Sequence, residues 1–254
     1  MAIKINYHNH LYNSGLGNKL FLNFLARALS LQNNEPLCNW LNTKIYAGVR
    51  EAHTYKNVAG VKKDNWGLLW PYSSCEEKDL TILGEYNNVE RFYGSDFHQS
   101  CNTINLISKY KTQLIKDFGE KEGLFVHVRF GDLAQKRRWS HICTYEYYKH
   151  CLSKMRCEKR YLSSDTFNHP FIQKLISEFD LEPYKNTPEE TIIFGSRFKN
   201  KILSLGTFSW WIGFIGSQNN VICPDPSDYG WWHGAIFQCM QDWNMVSRPY
   251  EKNN

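Results

Sequence analysis

From Leu124 onward the chain alternates short apolar runs with segments of helical periodicity, and few folds accept that pattern. Leu124-Phe125-Val126-His127-Val128 reads as a strand and Tyr145 to Met155 as a helix. Arg160-Tyr161-Leu162-Ser163 is the next strand, followed by a helix from Phe171 to Phe179. Lys201-Ile202-Leu203-Ser204-Leu205 reads as a strand running into an aromatic helix that starts near Phe208, and Asn220-Val221-Ile222-Cys223 as a last strand. Strands that alternate with helices predict an α/β fold around a parallel sheet. Such sheets bind ligands beyond the carboxyl ends of their strands, and the polar residues of this half cluster there.

The N-terminal half is less regular. Ala2 to Tyr7 can form a strand, and Asn13 to Asn18 is a loop containing Gly15 and Gly17. Leu20, Phe21, Phe24, Leu25, Ala28, Leu29 and Leu31 then recur at helical spacing. From Asn33 to about Ser108 only short elements are readable, and Leu106 to Phe118 reads as a helix. The polar run Glu120-Lys121-Glu122-Gly123 is the best break, giving domains 1–122 and 123–254. With 42% hydrophobic residues in 254, each half has material for its own core.

Composition excludes several classes. Thirty Lys and Arg against 25 Asp and Glu leave a net charge of +5, without a block of five like charges, so a nucleic-acid-binding arm is not indicated. The eight cysteines contain no CxxC spacing, which argues against a zinc knuckle or a thioredoxin-like pair and predicts buried free thiols in a reducing compartment, with a disulfide framework as the lesser alternative. Met1 to Tyr12 lacks the apolar stretch of a signal peptide, and no run approaches the length of a membrane-spanning helix. The expectation is a cytoplasmic protein, or a piece of a longer one.

Four constellations carry chemistry. In His127-Val128-Arg129-Phe130-Gly131-Asp132, strand alternation points His127 and Arg129 to one face at the carboxyl end, and Gly131 permits a sharp turn. The Arg129 guanidinium offers a fork suited to phosphate oxygens, although a surface turn with an ion pair would use the same residues. Gly15, Gly17 and Asn18 open a helix whose first amides attract anions; a plain strand-to-helix turn is the alternative. Asp165, after Ser163-Ser164, can bind a base or ribose hydroxyl, or cap the helix near Phe167. Gly206-Thr207-Phe208-Ser209-Trp210-Trp211 places small hydroxyl residues at a helix start, where phosphate can bind, and two Trp residues that anchor the helix in the core.

Taken in order, these segments resemble glycosyltransferase family 11, the α-1,2-fucosyltransferases. Gly15 to Phe21 is similar to the family's Gly-Leu-Gly-Asn-Gln-Leu/Met-Phe, and His127 to Asp132 to its His-x-Arg-Arg-x-Asp. Tyr147-Tyr148 falls where the family often has a Tyr pair, and Leu162 to Asp165 resembles its Phe-Ser-Asp-Asp. Thr207 to Trp211 resembles its Ser-Thr-Phe-Ser-Trp-Trp, and Ile222-Cys223-Pro224 its strand before a proline. Phe130 stands where the family has a second Arg, Thr166 where it has a second acid, and Ser14 where it has a Gly.

The resemblance implies a GT-B fold of two Rossmann-like domains facing a cleft, with donor contacts mainly in the C-terminal half. It implies an inverting, metal-independent transfer of L-fucose from GDP-fucose to a glycan hydroxyl, with the donor as substrate and no cofactor. The sequence contains no Asp-x-Asp; Glu178-Phe179-Asp180 is the nearest imitation. In this scheme Arg129 stabilises the β-phosphate, His127 touches the nucleotide and Asp165 contacts guanine or ribose. Gly15, Gly17, Asn18, Thr207, Phe208 and Ser209 complete the donor site, and Asp132 is the candidate base, with ordering of its loop as the alternative role. Two rival readings are a related enzyme using another sugar nucleotide and a catalytically silent carbohydrate- or nucleotide-binding protein on the same fold.

Overall fold

The computed structural model describes residues 3–4, 15–34, 37–38, 43–46, 62–63, 69–70, 101–136, 139–217, 219–229 and 235–248. The chain divides into two compact units, Met1–Asp117 and Phe118–Asn254.

In the first unit, β1 (Ile3–Lys4) pairs in parallel with β2 (Leu37–Cys38), and α1 (Leu16–Asn33) connects them. The predicted apolar face of α1 is buried at Leu20, Phe21, Phe24, Leu25 and Ala28, whereas Leu31 is 43% exposed. The rest of the strand expected over Ala2–Tyr7 lies outside the described residues. A short antiparallel pair, β3 (Lys62–Lys63) with β4 (Leu69–Trp70), follows. The helix expected over Leu106–Phe118 is two pieces, α2 (Cys101–Lys109) and α3 (Lys111–Leu114). Tyr110 between them, with φ −108° and ψ 12°, is the N-cap of the second.

The second unit is built on a six-stranded, all-parallel sheet. Its strands are β5 (Lys121–Val128), β6 (Arg160–Ser164), β7 (Glu182–Pro183), β8 (Phe198–Ile202), β9 (Asn220–Pro224) and β10 (Asn244–Val246), in spatial order β10-β9-β8-β5-β6-β7. The chain leaves central β5 toward β6 and β7, then returns to β8 on the other side of β5 and continues outward. The order therefore reverses between β5 and β8, the arrangement of doubly wound nucleotide-binding sheets. The polar run read as a break is only partly one, because Lys121-Glu122-Gly123 already belongs to β5.

Helices cover the sheet because a parallel sheet must bury both faces. Leu124, Val126 and Val128 point to one side, into a core with Tyr147, Tyr148, Cys151 and Leu152 of α5 (Tyr145–Lys154) and Ile172 and Leu175 of α6 (Pro170–Phe179). Phe125 points to the other side, its ring 6.0 Å from that of Phe194 in α7 (Pro188–Ser196). His127, two residues on, faces the same way, 5.0 Å from Phe208 of α8 (Thr207–Ile215). Local signals set the helix starts. The Thr144 hydroxyl accepts from Tyr147 N at 3.3 Å to begin α5. Thr187 caps α7, with proline in the first turn: its Oγ1 accepts from Glu190 N and donates to the Glu190 carboxylate.

Trp210 and Trp211 of α8 are fully buried, as expected from the sequence. The indole of Trp210 donates to Ile236 O at 2.9 Å, and its ring stacks 4.4 Å from Phe214. The strand expected over Lys201–Leu205 lies three residues earlier. β8 pairs with β5 only as far as Val126↔Ile202, and Leu203 N then bonds across to Ile222 O. Ser204 and Leu205 consequently lie beyond the ladder.

Candidate functional site

The carboxyl ends of β5, β6 and β8 converge where the strand order reverses. From β5 come His127 and Arg129; from β8 come Ser204 and Gly206, leading into α8; from β6 comes Asp165.

Arg129 lies against the start of α8. A Cβ built on Gly206 would meet Arg129 Nη1 at 2.8 Å and its Cδ at 3.4 Å. Gly206, the N-cap of α8, also has φ +123°, which only glycine adopts without strain. Two separate requirements thus select glycine there: the turn into the helix and the close approach of the guanidinium. The result brings a permanent cation beside the amide-rich end of a nine-residue helix, an arrangement that attracts an anion.

Asp165 holds the other side of the loop. Its Oδ1 accepts from Phe130 N at 2.9 Å and Gly131 N at 3.0 Å, and its Oδ2 from Gly131 N at 3.1 Å. The carboxylate therefore fastens the residues that follow Arg129. It does not cap the next helix, as one sequence reading had it. His169 does so, Nδ1 accepting from Phe171 N at 3.2 Å. Gly131 serves this loop by closeness rather than by a turn: its φ is not positive, and a Cβ there would meet Thr166 Oγ1 at 2.1 Å. Phe130 is buried with Leu133 and Ile142, its ring 4.1 Å from that of His169 and 5.3 Å from that of Phe171. The residue in place of a second Arg thus anchors the loop in apolar surroundings.

His127 is 7% exposed. Burial, reinforced by the Arg129 charge and opposed by Asp165, pulls its pKa down to about 4, so the ring is neutral near pH 7. Its Nδ1 lies 2.5 Å from Ser209 Oγ and 3.2 Å from Ser204 Oγ. The Ser209 hydroxyl, expected at a phosphate, is turned inward and fully buried instead. Phe208 is half-buried beside His127, and Thr207 begins the helix.

The family model of glycosyl transferase family 11 matches residues 83–229, more than half of the chain, and that span holds every residue described so far in this site. The chain belongs to glycosyl transferase family 11. It is a glycosyltransferase, and membership implies a nucleotide-sugar donor and a glycan acceptor as its substrates. No curated protein matches the chain.

Of the residues predicted for this glycosyltransferase's site, His127, Arg129, Asp165, Thr207, Phe208 and Ser209 come together in the second unit. Asp132 lies in the first turn of α4 (Gly131–Gln135), and its side chain is outside the described residues. Gly15, Gly17 and Asn18 belong to the first unit and lie outside the family match. Gly15 alone precedes α1, with φ −65° and open space where a Cβ would go, while Gly17 and Asn18 are inside the first helical turn. No backbone or steric demand of the described structure therefore explains a glycine at 15. Sequence reasoning missed Ser204. Its only signal was a lone hydroxyl between two leucines at the end of an expected strand.

Cys143, Cys151, Cys157 and Cys223 are free thiols, as predicted. Cys101 and Cys239 each take part in a disulfide, so the free-thiol reading does not hold at these two positions. No helix among the described residues is long and apolar enough to cross a membrane.

Proposed function

We propose that this glycosyltransferase moves L-fucose from GDP-fucose to a hydroxyl of a glycan acceptor, with inversion and without a metal, on a GT-B-type pair of Rossmann-like units whose second member carries the donor. One observation carries the reading: the Arg129 guanidinium is packed on Gly206 at the amino end of α8, beside the reversal of strand order. A nucleoside diphosphate leaving group would meet both positive elements there.

In the proposed step the acceptor oxygen forms a bond to the anomeric carbon as the bond to the β-phosphate oxygen breaks. The electron pair of that bond goes to the phosphate, where Arg129 and the first amides of α8 stabilise it. The Thr207 hydroxyl adds a phosphate contact. Asp165 acts by fixing the loop that carries Arg129. The acceptor's proton goes to a base, for which Asp132 is the candidate. Phe130 gives some support to a second reading, binding without turnover, because it leaves the loop one guanidinium where the resemblance expects two.

Incubation of the full chain with GDP-fucose and a panel of glycans, with and without EDTA, tests the proposal. The expected product is a fucosylated glycan of inverted anomeric configuration, formed equally in both arms. Retention of configuration, loss of transfer in EDTA with recovery on adding manganese, or transfer only from another nucleotide sugar would each refute the corresponding part. Turnover of any donor excludes silent binding.

A further inference from the structure

The buried polar cluster behind Arg129 has a definite proton order. Arg129 N donates to Ser204 Oγ at 3.2 Å, and a backbone N–H can only donate, so Ser204 accepts there. Ser204 has one proton to give, and its nearer partner is Ser209 Oγ at 2.8 Å rather than His127 Nδ1 at 3.2 Å. Ser209 then gives its own proton to His127 Nδ1 at 2.5 Å. In this direction the amide and both hydroxyl donors of the cluster each have an acceptor. In the opposite direction Nδ1 donates to Ser209 and Ser209 to the second lone pair of Ser204, and the Ser204 proton then has no acceptor left within the cluster. Ser204 and Ser209 are 1% and 0% exposed, so bulk water cannot supply one.

A neutral imidazole whose Nδ1 accepts carries its proton on Nε2. Among the described residues Nε2 has no hydrogen-bond partner. We propose that Ser204 is a positioning residue that, through Ser209, locks His127 in the Nε2–H form, so that the ring presents a fixed, uncharged donor to the nucleotide sugar. This rests on the donor site proposed above. Ser204 joins three segments at once: it lies after β8, accepts from the backbone of the β5 loop and bonds to α8. The arrangement leaves Arg129 as the cation of the pair, and His127 supplies direction without added charge. The low pKa of His127 agrees, with Arg129 acting to keep the ring neutral and Asp165 acting against it.

A two-bond proton–nitrogen spectrum of the ligand-free, nitrogen-15-labelled full chain at pH 7.5 tests the tautomer apart from any donor chemistry. The ring is assigned by its contact with Phe208. A protonated Nε2 with an unprotonated Nδ1 is the expected result; a protonated Nδ1, or an averaged pair of nitrogens, overturns the proposal. In Ser204→Ala the two nitrogens should move toward an average. KM for the donor should rise about tenfold while kcat changes less than about twofold, the mark of a lost binding contact. A Ser204→Ala protein with unchanged ring signals and unchanged KM overturns the positioning role, whichever nucleotide sugar the enzyme uses.

Discussion

His127 near the end of β5 and Arg129 just beyond it meet different surroundings. Arg129 is half-buried against Gly206 and keeps its charge toward the amino end of α8. Arg129→Ala removes no core side chain and should leave the circular dichroism spectrum unchanged. It should cut donor-dependent turnover about a hundredfold or more, as loss of a preorganised charge stabiliser does. A folded Arg129→Ala protein with near-normal turnover would refute the leaving-group role. His127 predicts a pH dependence. Its folded pKa of about 4 lies below the unfolded value of 6.5, so the unfolded chain binds the extra proton first as the pH falls. The contribution is fully present above the unfolded pKa and is lost between there and the folded one. Urea unfolding should show about 2 kcal/mol less stability at pH 5 than at pH 7 from this residue. His127→Gln should lose that share of the difference, and an unaltered pH slope in the variant would show that the ring is not held neutral.

The helices and strands differ in how their sequences announce them. α6 was readable because Ile172 and Leu175 recur on one face, and proline followed by an apolar stripe marks its start. α7 carries an equally local signal in Thr187 to Glu190. α5 and β9 yield a chemical test. Cys143 before α5, Cys151 within it and Cys223 in β9 are buried in the core, and burial raises the Cys151 thiol to about 12 and the Cys223 thiol higher still. Cys157 is partly exposed. In the native protein at pH 8 a maleimide should label Cys157 first, and the other three only on denaturation, since reaction needs an accessible thiolate. Cys101 and Cys239 should react only after reduction. Peptide mass mapping reads all six sites, and rapid native labelling of Cys151 or Cys223 would contradict the packing of α5 on the sheet.

At the scale of the molecule, the second unit has the strand order of a nucleotide-binding sheet, and the family match spans the residues that line its reversal point. The proposed donor predicts nucleotide selectivity. GDP at about a hundred times its dissociation constant should stabilise the fold by about 2.7 kcal/mol. UDP should do so much less. A thermal titration measures both, and equal shifts would remove the guanine assignment while leaving a diphosphate site in place.

Strand and helix content in the second half was decided by the sequence itself. Hydrophobic periods of two and near four are local properties, and a parallel sheet follows from their alternation. The family was also legible, because Arg129, Asp165 and Thr207 to Trp211 keep their order and neighbours along the chain. Which neighbours those residues bond to was decided only by the fold. The sequence alone could not distinguish an Asp165 that caps a helix from one that fastens Phe130 and Gly131, because that depends on the pairing of β5 with β6. Nor could it show Ser209 turned inward, since His127 and Ser209 stand 82 residues apart. Ser204 became visible only when β8 stopped at Ile202 and released it toward β5. Hydrogen bonds between distant strands have no period and no local spacing, so the geometry of the site belongs to the tertiary structure.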